Sequence, residues 1–364
     1  MAKEPFEVYP LAIVVPGVGE PYQTFIQRHV NWLLPGKTVV LTAERGKFWT
    51  PEPPTHDLNI FNRDNLKAIC ELLQRHRVKV ILGEFLDQSL LWCKLANLLG
   101  IKFYVHGHGY DISEMLSPEH NPSRYLAYKD VDGIITVNHQ SAERLIALGL
   151  PEERIHVVPY GIPVPDVVAA PGAEGDNNVK VLAVGRMVDK KAPVLVLDAF
   201  RRAVADYPQL HLDYVGDGVL FESAVNAAKA FGIEDKVTFH GLCDNAKVVE
   251  LLKQADIFMQ HSVKTRSGDE EGLPVSIIEA MAYKLPVVST RHSAIVEEVI
   301  DGHNGFLVDE FDTVGMAAKL VELAKNPAQC VAFGAAGQQH YLKNYTWDQE
   351  RVRLMQIMDL ESWA

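Results

Sequence analysis

Short apolar runs alternate with longer amphipathic stretches along this chain, the pattern of βα units built around parallel sheets. In the first half the predicted strands are LAIVV (11–15), TVVLT (38–42), VKVILG (78–83), KFYVHG (102–107), GIITV (133–137) and IHVVP (155–159). Helical patterns lie between them, among them DNLKAICELLQRH, SLLWCKLANLLG and HQSAERLIALG, the last closed by Gly149, a residue type that suits a helix end. The second half starts again with VKVLAVG (179–185), LHLDYVG (210–216), KVTFHG (236–241), ADIFMQ (255–260), LPVVST (285–290) and GFLV (305–308). A final helix is predicted over TWDQERVRLMQIMDLESW, with Thr346 as its N-cap.

Between the halves, DVVAAPGAEGDNN (166–178) is rich in Pro, Gly, Asp and Asn and has no periodicity, so it reads as an interdomain linker. The 364 residues also exceed the usual limit of one compact core, roughly 250 to 300 residues. The expectation is an α/β protein with an N-terminal domain over 1–165, a second domain over 179–345 and a terminal helix over 346–364. Ligands of open α/β sheets gather at the carboxyl ends of the strands, and two such domains facing one another would place a cleft between them.

Composition narrows the function classes. Hydrophobic residues make up 48% of the chain, which supports a globular fold, and a net charge of -12 argues against a nucleic-acid binder. Cys70, Cys93, Cys243 and Cys330 form no CxxC or metal-ligand pattern, so reduced core thiols and a cytoplasmic location are expected. The apolar stretch 8–15 is too short to span a bilayer and lacks the flanks of a leader peptide. PYQTFIQRHVNWLLPGK could form an interfacial helix, but its apolar content is what a core-facing stripe requires.

Candidate chemistry concentrates around EEGLPVSIIEA. A helix beginning near Pro274 would leave Glu271 ahead of its N-terminus and Glu279 a turn or so inside. Two carboxylates would then flank a ring of unpaired backbone N–H groups, a site able to hold an anion together with hydroxyls. A nucleotide sugar suits it: the diphosphate sits on the helix tip, and each carboxylate accepts hydroxyl protons. The plain alternative makes Glu271 a surface acid beside Asp269 and Glu270, and Glu279 a support for the helix dipole.

Other polar residues fall at strand ends. Arg186 and Lys191 follow a strand within VGRMVDKKAP and could both reach a diphosphate, although most such cations are simply solvated, as Lys190 beside them illustrates. His106, in YVHGHGYD, could donate to a phosphate or a sugar hydroxyl, with Asp111 fixing the nearby loop. A zinc site with His108 is disfavoured, because an i, i+2 pair on a strand points to opposite faces and no third ligand is near in sequence. Gly17 and Gly19 in PGVGE would let backbone approach an anion or a sugar, while VGDG (215–218) reads as a tight turn with Asp217 capping a helix.

Taken together, VGRMVDKKAPVLVLDAF, VGDG, FHG, ADIFMQHS, GDEEGLPVSIIEAMAYKLPVVST, EEVIDGHNGFLV and the helix from Trp347 occur in an order that resembles the donor-binding domain of retaining glycosyltransferases of family 4. In the N-terminal half, PYQTFIQRHV and HGHGYDIS resemble members that build cell-surface polysaccharides.

That resemblance implies the GT-B fold, two Rossmann-like domains across a cleft with the C-terminal helix returning to the first. It implies a hexose or N-acetylhexosamine donor carried on a nucleoside diphosphate, UDP ahead of GDP, and a glycan, lipid-linked or small-molecule acceptor. It assigns Glu271 to the donor sugar hydroxyls and Glu279 to the ribose. Gly272, Leu273 and Pro274 would lie against the phosphates, the first two through backbone N–H groups, and Arg186 and Lys191 would neutralise the leaving diphosphate with no metal and no other cofactor. His106 would reach the transferred sugar, and Gly17 and Gly19 would sit against donor or acceptor. A lipid-linked acceptor would bring loose association with the inner face of a membrane. Three positions depart from the family pattern: Ser293 and Ala294 stand where a glycine pair is common, and Lys284 replaces a common glycine. A sugar-nucleotide 2-epimerase and a non-catalytic nucleotide-sugar binder remain as alternatives.

Overall fold

The computed structural model describes residues 7–20, 23–47, 49–166 and 178–364. The predicted linker therefore lies almost entirely outside the described residues. The chain divides into two compact units, one made of Met1–Pro159 with Gln349–Ala364 and the other of Tyr160–Asp348.

The first unit carries β1 (Leu11–Val18), α1 (Thr24–Trp32), β2 (Thr38–Arg45), β3 (Thr55–Asp57), α2 (Asn65–Arg75), β4 (Val80–Glu84), α3 (Leu86–Leu99), β5 (Lys102–Gly107), β6 (Gly133–Thr136), α4 (His139–Leu148) and β7 (Ile155–Val157). Its strands form one parallel seven-stranded sheet in the order β3-β2-β1-β4-β5-β6-β7. The second unit carries β8 (Val179–Val184), α5 (Pro193–Asp206), β9 (Leu210–Val215), α6 (Phe221–Ala230), β10 (Val237–Gly241), α7 (Asn245–Gln254), β11 (Ile257–Met259), α8 (Val275–Ala282), β12 (Val287–Thr290), α9 (Ile295–Glu298), β13 (Gly305–Val308), α10 (Thr313–Ala324) and α11 (Pro327–Asn344). Its parallel six-stranded sheet runs β10-β9-β8-β11-β12-β13. The last helix, α12 (Trp347–Ile357), begins where the chain passes back to the first unit.

Both sheets are doubly wound, and each reverses its strand order beside its first strand. The reversal lies between β1 and β4 in one unit and between β8 and β11 in the other. A crevice opens at the carboxyl ends of the strands at such a switch point. All twelve predicted strands form. The thirteenth, β3, is an edge strand of sequence THD with half-exposed and exposed residues, so it offers no apolar run to read.

Local details follow the sequence unevenly. Gly149 closes α4 at φ 100°, and the Asn138 side chain caps its start by accepting from the Ser141 N–H at 2.7 Å. α1 buries Ile26 and Val30, and Leu33 and Leu34 after it are buried too, so the stripe faces the core. Among the described residues no helix is long and apolar enough to cross a membrane. The four cysteines are unpaired, but only Cys330 is buried; the other three are half-buried.

Candidate functional site

At the switch point of the second unit, the loop after β8 carries Arg186 and Lys191, and the long connection after β11 carries Glu271 to the tip of α8. Lys191 Nζ lies 3.1 Å from Glu271 Oε1, and both side chains are largely buried. The surface-acid reading of Glu271 is thereby excluded, since it is only 7% exposed. Burial by itself would raise the Glu271 carboxyl, but the Lys191 and Lys190 charges win and hold it below its ordinary value. Lys191 is drawn down by burial against the Glu271 charge. Arg186 is exposed on the same loop.

Two further contacts clamp the Glu271 backbone. Its N–H donates to His292 Nε2 at 3.1 Å, and its carbonyl accepts from Ser293 Oγ at 2.7 Å. His292 Nδ1 lies 2.6 Å from Glu310 Oε1, so the acceptor role of Nε2 places the proton on Nδ1. Lys190 is no idle cation either. Its ammonium donates to Asp269 Oδ1 at 2.9 Å and to the Glu270 carbonyl at 3.2 Å, stapling the cation loop to the acid loop. The helix starts as expected, with Pro274 at the N-cap and no side chain capping it. Gly272, Leu273 and Pro274 are buried ahead of the first turn, and Glu279 is half-buried inside the helix.

The VGDG turn braces this loop from behind. Gly216 has φ 140°, and a Cβ there would meet the Gly185 carbonyl oxygen at 1.9 Å, so only glycine fits. The Asp217 side chain does not cap α6: it accepts from the N–H of Gly218 at 2.7 Å, and α6 has no side-chain cap. An exposed aspartate so close to its own turn satisfies the turn first. Glu298 was not foreseen. It is fully buried beside this cluster with neither carboxyl oxygen hydrogen-bonded, and burial, reinforced by Glu271 against the pull of Lys191, holds its carboxyl well above the ordinary range.

In the first unit, β1 extends to Val18, with Gly17 paired to Glu44 of β2, so the loop starts later than predicted. Gly19 has φ 91°, and a Cβ on it would press on backbone of Gly46 and Trp49 at 2.9 Å; its close approach is to its own chain. Gly17, Glu20, Glu44, Arg45, Asn59 and Tyr110 line part of a cavity of about 470 Å³ at the β1/β4 switch point.

His106 is fully buried at the end of β5, directly opposite Glu84 of β4 in the sheet register. The expectation that His106 and His108 point apart with no further ligand nearby fails. Their rings lie 4.5 Å apart, because His108 sits past the end of the strand, where the alternation of faces no longer holds. Glu84 lies between them and His29: its Oε2 is 2.7 Å from His108 Nε2 and 3.7 Å from His106 Nδ1, and its Oε1 is 2.8 Å from His29 Nδ1. Asp111 fixes the loop as expected, its carboxylate accepting from the N–H groups of Leu86, His108 and Gly109. Burial, followed by the neighbouring His108, holds the His106 imidazole well below its ordinary value.

Comparison with known proteins agrees with this architecture. Residues 169–340 match the family of glycosyl transferases group 1, and residues 38–161 match the glycosyl transferase 4-like domain. The chain belongs to this glycosyltransferase family, and its two units are the Rossmann-like domains of the GT-B fold. It is 31% identical over 269 residues to a Salmonella typhimurium protein bearing the name of a colanic acid biosynthesis glycosyltransferase, WcaL; the match covers 71% of this chain and 65% of that protein's length. A GDP-mannose-dependent phosphatidylinositol monomannoside mannosyltransferase of Mycolicibacterium smegmatis is 24% identical, over 78% of this chain and 79% of its own. The crystal structure of Anabaena Alr3699/HepE in complex with UDP and glucose superposes with a TM-score of 0.80 at 17% identity, covering 96% of this chain and 99% of that one.

Proposed function

We propose that the chain is a retaining glycosyltransferase that moves a hexose or N-acetylhexosamine from a nucleoside diphosphate sugar to a hydroxyl of a glycan, glycolipid or small-molecule acceptor, in the building of a cell-surface polysaccharide. The observation that carries this is the buried Lys191–Glu271 pair, 3.1 Å apart, beside the N-terminus of α8, which no side chain caps. Leaving-group departure puts new negative charge on the diphosphate. Lys191, Arg186 and the positive end of the α8 dipole are the groups that would receive it, so the reading requires no metal or other cofactor.

Glu271, kept ionised by Lys191, accepts hydroxyl protons of the donor sugar, and Glu279 does the same for the ribose. Glu271 is a positioning group in this scheme. In the front-face route, the leaving phosphate oxygen takes the proton of the attacking hydroxyl, so no enzyme nucleophile is needed. His106, buried and neutral, is the group of the first unit assigned to the transferred sugar. The cavity lined in part by Glu20, Glu44, Arg45, Asn59 and Tyr110 offers both donors and acceptors, which supports a polyol acceptor.

UDP is favoured as the carrier by the UDP and glucose bound in HepE, while the mannosyltransferase relative makes GDP-mannose the competing donor. A thermal-shift panel of UDP-, GDP- and ADP-sugars decides between them. The right donor at 100 times its dissociation constant stabilises by about 2.7 kcal/mol, and transfer then requires an added acceptor. Product formed from the donor alone would reassign the chain as an epimerase. Binding with neither transfer nor hydrolysis would make it a sensor.

A further inference from the structure

Glu84 is the hub of a buried chain of titratable groups that the transfer reaction as written above does not use. Of its oxygens, Oε1 meets His29 Nδ1 of α1 at 2.8 Å, and Oε2 meets His108 Nε2 of the loop after β5 at 2.7 Å. The far nitrogen of His29, Nε2, meets Glu350 Oε1 of α12 at 2.8 Å. Every member is at least nine-tenths buried. The His106 ring sits inside this arrangement, 5.2 Å from that of His29 at 23° and 4.5 Å from that of His108 at 42°.

The donor count settles where protons belong. Both ring nitrogens of His29 face carboxylate oxygens, which only accept, so both must carry hydrogen and the ring is an imidazolium. His108 donates through Nε2. His106 Nδ1, at 3.7 Å from Glu84, is beyond hydrogen-bond reach of the same carboxylate. Burial would lower the His29 imidazole, but the Glu84 charge and the hydrogen bonds to Glu350 and Glu84 raise it to about 9.

We propose that Glu84 is a positioning residue for His106: by hydrogen-bonding His29 through Oε1 and His108 through Oε2, it fixes the two rings that lie against His106 and so holds the His106 ring in one orientation, ready to exchange a hydrogen bond with a sugar hydroxyl. The proposal rests on the assignment of His106 to the transferred sugar. Among the described residues, the titratable groups facing Glu84 are His29 from α1 and His106 and His108 from β5 and its loop, with Glu350 of α12 beyond His29. His29, Glu84 and His106 also bring one ligand atom each within 4.8 Å of one another. A transition metal is therefore the competing occupant, and the experiment includes it.

The test is two-bond 1H–15N spectroscopy of the histidine-labelled full chain, with resonances assigned by His29→Gln and His106→Asn. The expected result is an imidazolium signature for His29 at pH 7.5, a neutral ring for His106, and no stoichiometric metal by elemental analysis. A neutral His29, a cationic His106 or a bound metal whose chelation shifts these signals would overturn the proposal. In Glu84→Gln, His29 should titrate at least about one pH unit lower. The kcat of transfer should fall on the order of tenfold to a hundredfold with the donor KM unchanged. An unchanged kcat refutes the positioning role. If Glu84→Gln does not fold, Glu350→Gln takes its place and should lower the His29 titration while Glu84 still holds His108. A chain without transferase activity fails the functional reading, and the spectra still judge the protonation pattern independently.

Discussion

Lys191 and Glu271 are worth more as a pair than the sum of their separate contributions. With Lys191→Ala, the Glu271 carboxylate, 7% exposed in the wild type, loses the nearer of its two lysine cations. Breaking a buried pair from one side costs about 3 kcal/mol or more, so the single variant should melt well below the wild type. Adding Glu271→Gln removes the stranded charge and should restore most of the melting temperature. Activity should not return: transfer is expected to fall on the order of 100 to 1000-fold in each single variant and in the double. A double variant that recovers turnover along with stability would contradict the assignment. A second residue-scale prediction concerns Lys284, which holds φ 60°. A left-handed residue with a side chain costs about 1 to 2 kcal/mol, against which glycine gives back roughly 0.5 to 1 kcal/mol of backbone entropy. Lys284→Gly should therefore add up to about 1.5 kcal/mol of stability and raise the melting temperature, and Lys284→Ala, which keeps the strain, should not. Ser293, at φ 44°, is the other departure from a glycine-favouring pattern. There the hydroxyl holds the Glu271 carbonyl, a contact that glycine would forfeit.

Elements were legible where periodicity and local chemistry carry the information. The helix after Pro274 and the strands flanking the cation loop could be read because proline, glycine and apolar runs act within a few residues. The cluster around Glu84 could not. Its members come from α1, β4, β5 and α12, and His29 and Glu350 are 321 positions apart, so no window of sequence contains the motif. His292 and Glu310 sit 18 positions apart in the loops after two different strands, so their pairing depends on the fold, although His292 stands beside the Ser293 departure. The linkage of the histidine network to stability has a definite sign. The folded His29, at about 9, lies above its ordinary value of 6.5, so its contribution is complete below pH 6.5 and is lost as the pH rises through 9. Burial would raise the Glu84 carboxyl, but the His29 charge and the hydrogen bonds from His108 and His29 hold it below its ordinary range, so it gives its share above its unfolded value and loses it only in strong acid. The loss between pH 6.5 and 9 is on the order of 3 kcal/mol. Glu298, whose carboxyl is held up by burial, pulls in the same direction as the pH climbs. The check is therefore a difference: urea unfolding followed from pH 6 to 9.5 should show a steeper decline for the wild type than for His29→Gln. Parallel curves would remove His29 from the account.

At the scale of the molecule, the chain enters the second unit once and leaves it once, and the returning segment completes the first unit. Leu354, Met355, Met358 and Leu360 are buried, at most 4% exposed. The same segment reaches His29 through Glu350, the Trp32 and Leu33 carbonyls through Arg351 at 3.1 and 3.0 Å, and Lys102 through Asp359 at 2.6 Å. Burying four such apolar side chains is worth on the order of 6 to 12 kcal/mol, comparable with the whole stability of an ordinary domain, about 5 to 15 kcal/mol. A chain ending at residue 348 should therefore lose cooperative unfolding of its first unit. The second unit keeps its sheet and its Lys191–Glu271 pair in that truncation. It should retain the thermal shift given by the preferred nucleotide while transfer disappears. Limited proteolysis resolves the two outcomes: cleavage sites should appear within residues 7–159 and not among the strands of 179–308. If the truncated chain instead protects both halves equally, the terminal helix is dispensable, and the tie from Glu350 to His29 cannot matter for the fold.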